Sequence, residues 1–320
     1  MSLPFIIDGH TDILLRIDVE KQTNLQSHPD DSIKGGVGMQ ITAIFTPDEY
    51  LENAYDFAIN ILDNLFLMVK TNHPKYWIYQ GNNDIKKIEQ EYKQRFKANY
   101  EKKIGFLVSL EGAEPLGDDP FKIEEFHKLG IRLVTIAWSR PNAFGCGVGP
   151  ANNHKGLTSK GKQLIKLMNK LGIIIDVSHL NREGILDTLE ISDKPVIATH
   201  SNVYSICDNA RNLTDDLIRL IAEKGGFLGM CFNQPFLVKT KPARIEDLEK
   251  HIRYMLDNFS SDSIAWGSDF DGITGWLLEI ENSSERRIIT DYLSDNMRLP
   301  SDIIDKINYK NWLRILSRCT

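Results

Sequence analysis

Cysteine is scarce. The 320 residues hold four, Cys146, Cys207, Cys231 and Cys319, and no two form a CxxC pair. That excludes a disulfide framework and a thiolate zinc site, and it suits a reducing compartment. Cys231 sits in an apolar run and reads as core; Cys319 falls in a terminal stretch expected to be mobile. Long apolar runs are missing as well. None approaches the ~20 residues that a helix needs to cross a bilayer. Only "MSLP" precedes the first apolar run, too little for a secretory leader, and "NWLRILSRCT" lacks the tail of a lipid-anchor signal. A cytoplasmic location is expected. Neither sign of charge dominates: 38 Lys and Arg face 44 Asp and Glu, for a net charge of −6. Without a basic tract, neither nucleic acid nor an anionic membrane is an expected partner. No internal repeat or low-complexity linker divides the chain, which reads as one unit over 1–320.

What is present is a series of eight short apolar or β-branched runs. They are "FIID" near 5–8, "GMQITAIF" at 38–45, "IGFLVSL" at 104–110, "IRLVTIAW" at 131–138, "GIIIDVS" at 172–178, "PVIATH" at 195–200, "GFLGMCF" at 226–232 and "SIAWGSDF" at 263–270. Near-continuous apolar character marks strands buried on both faces, as in a parallel sheet. Helical spacing fills the intervals. Residues 49–70 repeat apolar positions, "SKGKQLIKLMNKLG" has a Ser start and a Gly stop, and "TDDLIRLIAEKGG" opens on a Thr cap with two first-turn acids. Strands alternating with helices predict an α/β fold, a single (β/α)8 TIM-type barrel. A doubly wound open sheet is the runner-up. The interval 71–103, rich in Lys, Asn, Gln and Glu, reads as a helical elaboration on the rim after strand 2.

Polar residues collect where these strands end. His10 and Asp12 follow the first, Glu111 ends the third, His179 the fifth, His200 the sixth and Asp269 the eighth. In a barrel all of them gather at the C-terminal mouth, where such enzymes place their chemistry. Any one could be a cap or a turn residue; five strand ends so furnished point to a site. Three imidazoles with several carboxylates suit Zn2+, and less strongly Mn2+, Co2+ or Fe2+. Two ions ~3.5–4 Å apart need a bridging anion. No Lys ends strand 4, so Glu111 is the expected bridge, with His10 and Asp12 on one ion and His179 and His200 on the other.

The blocks "DGHTD", "SLEGAEPL", "GLTSKGKQLIKLMNKLGIIIDVSHL", "KPVIATHSN", "DNARNLTDDLIRLIA", "GSDFDG" and "NWLRIL" resemble, in order and spacing, the renal or membrane dipeptidases. These are zinc peptidases with an amidohydrolase-type barrel, and the likeness runs along most of the chain. It implies two zinc ions held by His10, Asp12, Glu111, His179 and His200. It also implies that Arg211 of "NARN" grips the substrate's carboxylate, and that Asp269 lies beside the water that bridges the metals. Tolerance of a D-residue at the C-terminal position and a homodimer are further implications. A guanidinium fork suits that grip, because it meets a carboxylate at two points.

One position departs from the family. Its fourth strand usually ends in Thr-His, and that His contacts the substrate and the developing oxyanion. Here "TIAWSRPNAFG" puts Trp138 there, and neither His127 nor His154 replaces it by register. The expected activity is a binuclear zinc dipeptidase acting on short peptides with a free C-terminal carboxylate, with Asp269 and Glu111 at the chemistry and Arg211, Trp138 and Asp269 against the substrate. The alternatives are an amide, lactam or N-acyl amino acid hydrolase of the same fold, or a metal-binding barrel that has lost catalysis.

Overall fold

The computed structural model describes residues 3–97, 99–149 and 155–320. The apolar runs become strands β1 (Ile6–Thr11), β2 (Val37–Phe45), β3 (Tyr76–Ile78), β4 (Ile104–Glu111), β5 (Ile131–Thr135), β6 (Ile174–Asp176), β7 (Val196–Ile197), β8 (Leu228–Met230) and β9 (Ile264–Trp266). All of their ladders are parallel. Neighbours run β7-β6-β5-β4-β2-β1-β9-β8, and a bridge between Ala198 and Leu228 brings the two ends together. This is a nearly closed eight-strand barrel with helices outside, a (β/α)8 fold rather than the open doubly wound sheet.

Several strands are shorter than their apolar runs. β5 stops at Thr135 and β6 at Asp176, because the residues beyond them already turn into the mouth loops. The interval 71–103 differs more. It holds β3 as well as the helix Ile85–Gln94, and β3 pairs with the start of β4, Tyr76 opposite Ile104 and Ile78 opposite Phe106. The elaboration therefore sits at the barrel's floor, at the end away from the mouth.

Cap chemistry accounts for the helix that leads into β6. Thr158 accepts from the amide of Gly161, and Gly172 ends the helix at φ 74°, a left-handed conformation that glycine adopts without steric cost. At Asp215–Glu223 the expected cap is only half made. Thr214 holds the cap position, yet its hydroxyl donates to Asp216 instead of accepting from the helix.

The barrel interior is filled by Ile7, Met39, Ile41, Leu107, Leu133 and Ile174, and they form one cluster with Trp312, Ile315 and Leu316 of the helix Asn311–Cys319. That helix plugs the floor. A Cβ on Gly9 would lie 2.5 Å from both the Trp312 ring and the Trp266 carbonyl, so only glycine lets the plug come this close. Cys319, expected in a mobile tail, is 4% exposed within this packing.

Candidate metal centre

Each expected side chain reaches the mouth from the end of its own strand. β1 carries His10 as its fifth residue, and Asp12 follows, its amide bonded to the Phe270 carbonyl at 2.9 Å. The Asp269 amide bonds in turn to the His10 carbonyl at 3.0 Å, so the ends of β1 and the segment after β9 are stitched together. His179 and Asp269 hold left-handed backbone, φ 67° and 65°. A non-glycine residue stays there only where its surroundings over-determine it, and such sites cluster at functional centres.

The side chains converge. Glu111 Oε1 lies 3.0 Å from His179 Nε2, 3.6 Å from His200 Nε2 and 3.7 Å from His10 Nε2. The Nε2 atoms of His179 and His200 are 2.9 Å apart. On the other side, His10 Nε2 is 3.4 Å from Asp12 Oδ2 and 4.0 Å from Asp269 Oδ1. Two groups therefore have the spacing of a shared cation, His10 with Glu111 and His200, and His10 with Asp12 and Asp269.

Supporting bonds set the imidazole tautomers. The Thr199 hydroxyl donates to Asp176 Oδ2 at 2.7 Å and stands 2.8 Å from His200 Nδ1. Its proton being spent on Asp176, it accepts from Nδ1–H, which leaves the Nε2 lone pair aimed into the cluster. Asp176 is fixed by the amides of Ser178 and Thr199, each at 2.9 Å, and by Thr135. His179 Nδ1 rests on Ser139 Oγ at 3.0 Å. His10 Nδ1 and Nε2 and Asp12 Oδ1 are buried without hydrogen-bond partners among the described residues, an expensive arrangement unless another group binds them. Lone-pair nitrogens facing one another and a carboxylate make a donor set that fits divalent cations.

The protonation equilibria carry the same mark. Burial opposes charge on His10, but Glu111, Asp12 and Asp269 outweigh it and lift the imidazole to about 10. Burial raises Asp269 to about 7, with Asp12 pushing the same way and His10 and Arg211 pulling back. Burial and Asp12 together hold Glu111 well above the usual carboxylate range. Burial, then the nearby positive charges, hold His179 and His200 well below 6.5. Perturbed groups packed in one cleft are a mark of functional sites.

The cleft above the cluster measures about 260 Å³, and Asp12, Leu15, Phe45, Glu111, Trp138, Ser139, His179, Arg211, Asn233, Phe236, Asp269 and Gly272 line it. Arg211 comes from the loop after β7. Its Nη2 donates to the His200 carbonyl at 3.2 Å, its guanidinium lies 5.3 Å from the Phe236 ring, and its buried Nε has no hydrogen-bond partner among the described residues. Trp138 faces the mouth and stacks on His179, with centroids 5.6 Å apart and planes at 30°. His127 ends a short helix on the barrel's outer layer, and His154 lies outside the described residues.

Sequence reading passed over the residues around this set. Asp176 carried a signal, a carboxylate inside the apolar run "GIIID". Phe45 is the last residue of its strand, as Glu111 is of its own. Ser139 sits in a loop, and Asn233 and Phe236 at the cap and within the short helix Gln234–Leu237, too brief to leave a periodic mark. Cys231, read as core, is indeed buried, and its thiol also donates to Asp269 Oδ2 at 3.5 Å.

Comparisons with known proteins agree with this geometry. An uncharacterized protein in the pqqA 5' region of Klebsiella pneumoniae is 32% identical over 68% of this chain and 82% of its own length. Dipeptidase tcpJ of Claviceps purpurea is 28% identical over 67% of the chain and 51% of its own. Among solved structures, dipeptidase AC, a metallo peptidase of family M19, superposes with a TM-score of 0.88 at 25% identity and covers 99% of both chains. A metallo peptidase from Rhodobacter sphaeroides, liganded with a phosphinate mimic of the dipeptide L-Ala-D-Ala, has the same fold, with a TM-score of 0.89 at 24% identity over the whole of both chains. The family model of the membrane dipeptidases matches residues 2–320, and this chain, with its barrel and its cluster of candidate metal ligands, belongs to that family of metal-dependent hydrolases, peptidase family M19.

Proposed function

We propose that the chain is a binuclear zinc dipeptidase that cleaves short peptides bearing a free C-terminal carboxylate. The observation that carries this reading is one cleft holding both the convergence of three imidazoles on Glu111 and a buried guanidinium with an unpartnered nitrogen. His10 and Asp12 would hold one ion, His179 and His200 the other, and Glu111 would serve both, with Asp269 beside the attacking water. When bound, the ions polarise the scissile carbonyl and acidify the attacking water to a pKa of about 7.

The remaining work falls to the chain's own residues. Arg211 seats the carboxylate and so fixes how far the scissile bond lies from the chain end. A longer peptide has no carboxylate at that distance, which limits the enzyme to short substrates. Asp269, buried beside His10, accepts the proton of the attacking water on a carboxylate oxygen and returns it to the leaving amine, so that amide and water become acid and amine with the protons balanced. Trp138 takes the position where the family usually has an imidazole donor, and the only polar atom of its ring is one N–H. The dipeptide mimic bound by the Rhodobacter sphaeroides enzyme supports a substrate of this size.

A dipeptide panel assayed with added Zn2+ and then with a chelator tests the reading. Turnover of free dipeptides that chelation abolishes and Zn2+ restores is expected. Intact metal without turnover of any amide would instead identify a binding protein, and turnover of N-acyl amino acids alone would identify the sister hydrolase class.

A further inference from the structure

Resting on the dipeptidase reading, we propose that Phe45 and Trp138 form a subsite that selects a large aromatic side chain on the amino side of the scissile bond. The barrel order supplies the first part of the argument. β2 and β5, which end at or lead into Phe45 and Trp138, flank β4 and Glu111; the loops after β7 and β8, which carry Arg211, Asn233 and Phe236, stand across the mouth. A substrate seated by its carboxylate on Arg211 and passing its scissile bond over Glu111 therefore delivers its amino-side residue to Phe45 and Trp138.

The second part is the character of that wall. The two rings lie 5.0 Å apart at 55°, and Trp138 also stacks on His179. Behind them the Arg140 guanidinium is 5.4 Å from the Trp138 ring and 5.6 Å from the Phe45 ring. Arg140 is itself tied to Asp48 at 2.9 Å, the Thr46 carbonyl at 2.7 Å and Glu114 at 3.3 Å. Rings held from behind in this way lose little freedom when a ligand arrives, which favours tight selection. With Leu15 beside them they are apolar, and the neighbouring Ser139 hydroxyl is engaged with His179. The charge of Arg140 is faced by Asp48 and Glu114, so it is not a free cation for the ligand. Offset and edge-on ring packing is what such a surface rewards. At about 260 Å³ the cleft falls below the ~300–1,000 Å³ of sites for drug-sized ligands, a size that suits a short peptide.

The test is steady-state kinetics of the zinc-loaded enzyme on Phe-Ala, Ala-Ala, Ala-Phe and Lys-Ala, with L- and D-forms of the C-terminal residue. The kcat/KM of Phe-Ala should exceed that of Ala-Ala tenfold or more, while Ala-Phe and Lys-Ala gain nothing over Ala-Ala. In Phe45→Ala the ratio of Phe-Ala to Ala-Ala should fall to within threefold of unity, and Phe45→Leu, which keeps most of the volume, should lie between. Circular dichroism and metal content of each variant show that it is folded and loaded. A wild-type ratio near one, a preference for Ala-Phe, or a ratio untouched in Phe45→Ala overturns the subsite and leaves the dipeptidase standing. Failure to cleave any of the four peptides overturns the dipeptidase itself, and the subsite with it.

Discussion

His251 gives the fold a dependence on pH that can be worked out from its contacts. It lies on the helix Ile245–Asn258, fully buried, and accepts at Nδ1 from the Val203 amide at 3.1 Å, while Nε2 faces the Leu237 carbonyl at 3.4 Å. The bond at Nδ1 requires the neutral ring, whereas the donation from Nε2 survives protonation. Burial is the main reason its pKa is pushed down to about 4, with Lys250 adding to the effect and the Leu237 carbonyl and Asp247 opposing it. The unfolded chain takes up this proton near pH 6.5, so the contribution is complete above 6.5 and is lost as the pH falls towards 4. By linkage the loss is about 2 kcal/mol at pH 5 and about 3 kcal/mol at pH 4. Val203 follows directly on the segment of His200, Ser201 and Asn202, so protonation loosens the loop that leads to Arg211. The check is urea denaturation of wild type and His251→Gln, both stripped of metal, at pH 7, 6, 5 and 4. Glutamine can accept and donate but does not titrate, and subtracting the two proteins cancels the other groups. The stability of wild type relative to the variant should drop by about 3 kcal/mol from pH 7 to pH 4. A difference that stays level across this range would refute the argument.

Metal content is expected to depend on Glu111 far more than on Asp271. Elemental analysis should show Glu111→Gln losing most of its metal and Asp271→Asn keeping it, because the Asp271 carboxylate is occupied by the amides of Gln26 and Ser27 at 2.8 and 2.9 Å. Arg211→Ala should raise KM for free dipeptides roughly tenfold to a hundredfold, the loss of a charge-assisted pair of about 1.5–3 kcal/mol. C-terminally amidated dipeptides should be poor substrates for the wild type and lose little more; equal cleavage of both forms would rule out the clamp. Trp138→His should change the turnover number or the substrate preference tenfold or more at unchanged metal content, since one oxyanion donor is worth roughly 2.7–4 kcal/mol. Identical kinetics across the panel would place Trp138 outside the chemistry.

The barrel was legible because parallel strands are buried on both faces and so leave unbroken apolar runs, such as "IGFLVSL" and "GIIIDVS". The strand β3 was not: three residues, "YWI", set in a polar interval are too few to show a period. The candidate ligands were legible for a related reason. Strand ends in a barrel converge by topology, so His10, Glu111, His179 and His200 could be gathered from sequence before any distance was known. What surrounds them depends on contacts between elements far apart in the chain. The Thr199–Asp176 support of His200 and the bracing of Phe45 and Trp138 by Arg140 arise only when neighbouring strands set those side chains side by side. The left-handed backbone at His179 and Asp269 leaves no distinct signal, because Asp and His adopt it in ordinary turns as well.

The plug under the barrel also bears on the order in which the molecule can be completed. Trp312 donates to the Trp266 carbonyl at 3.3 Å and packs where a side chain on Gly9 would otherwise lie, one residue before His10. A ribosome therefore makes the first strand of the barrel before all the others and the helix that seats it after the last of them. Until residues 311–319 emerge, the floor lacks the indole that fills the space under Gly9, and β1 is held by its ladders to β2 and β9 without that support. The ligand donated by the earliest strand thus reaches its final position only after the last strand of the barrel has been made. A nascent barrel short of this helix would meet metal with a loosely held His10, so loading belongs after closure of the floor.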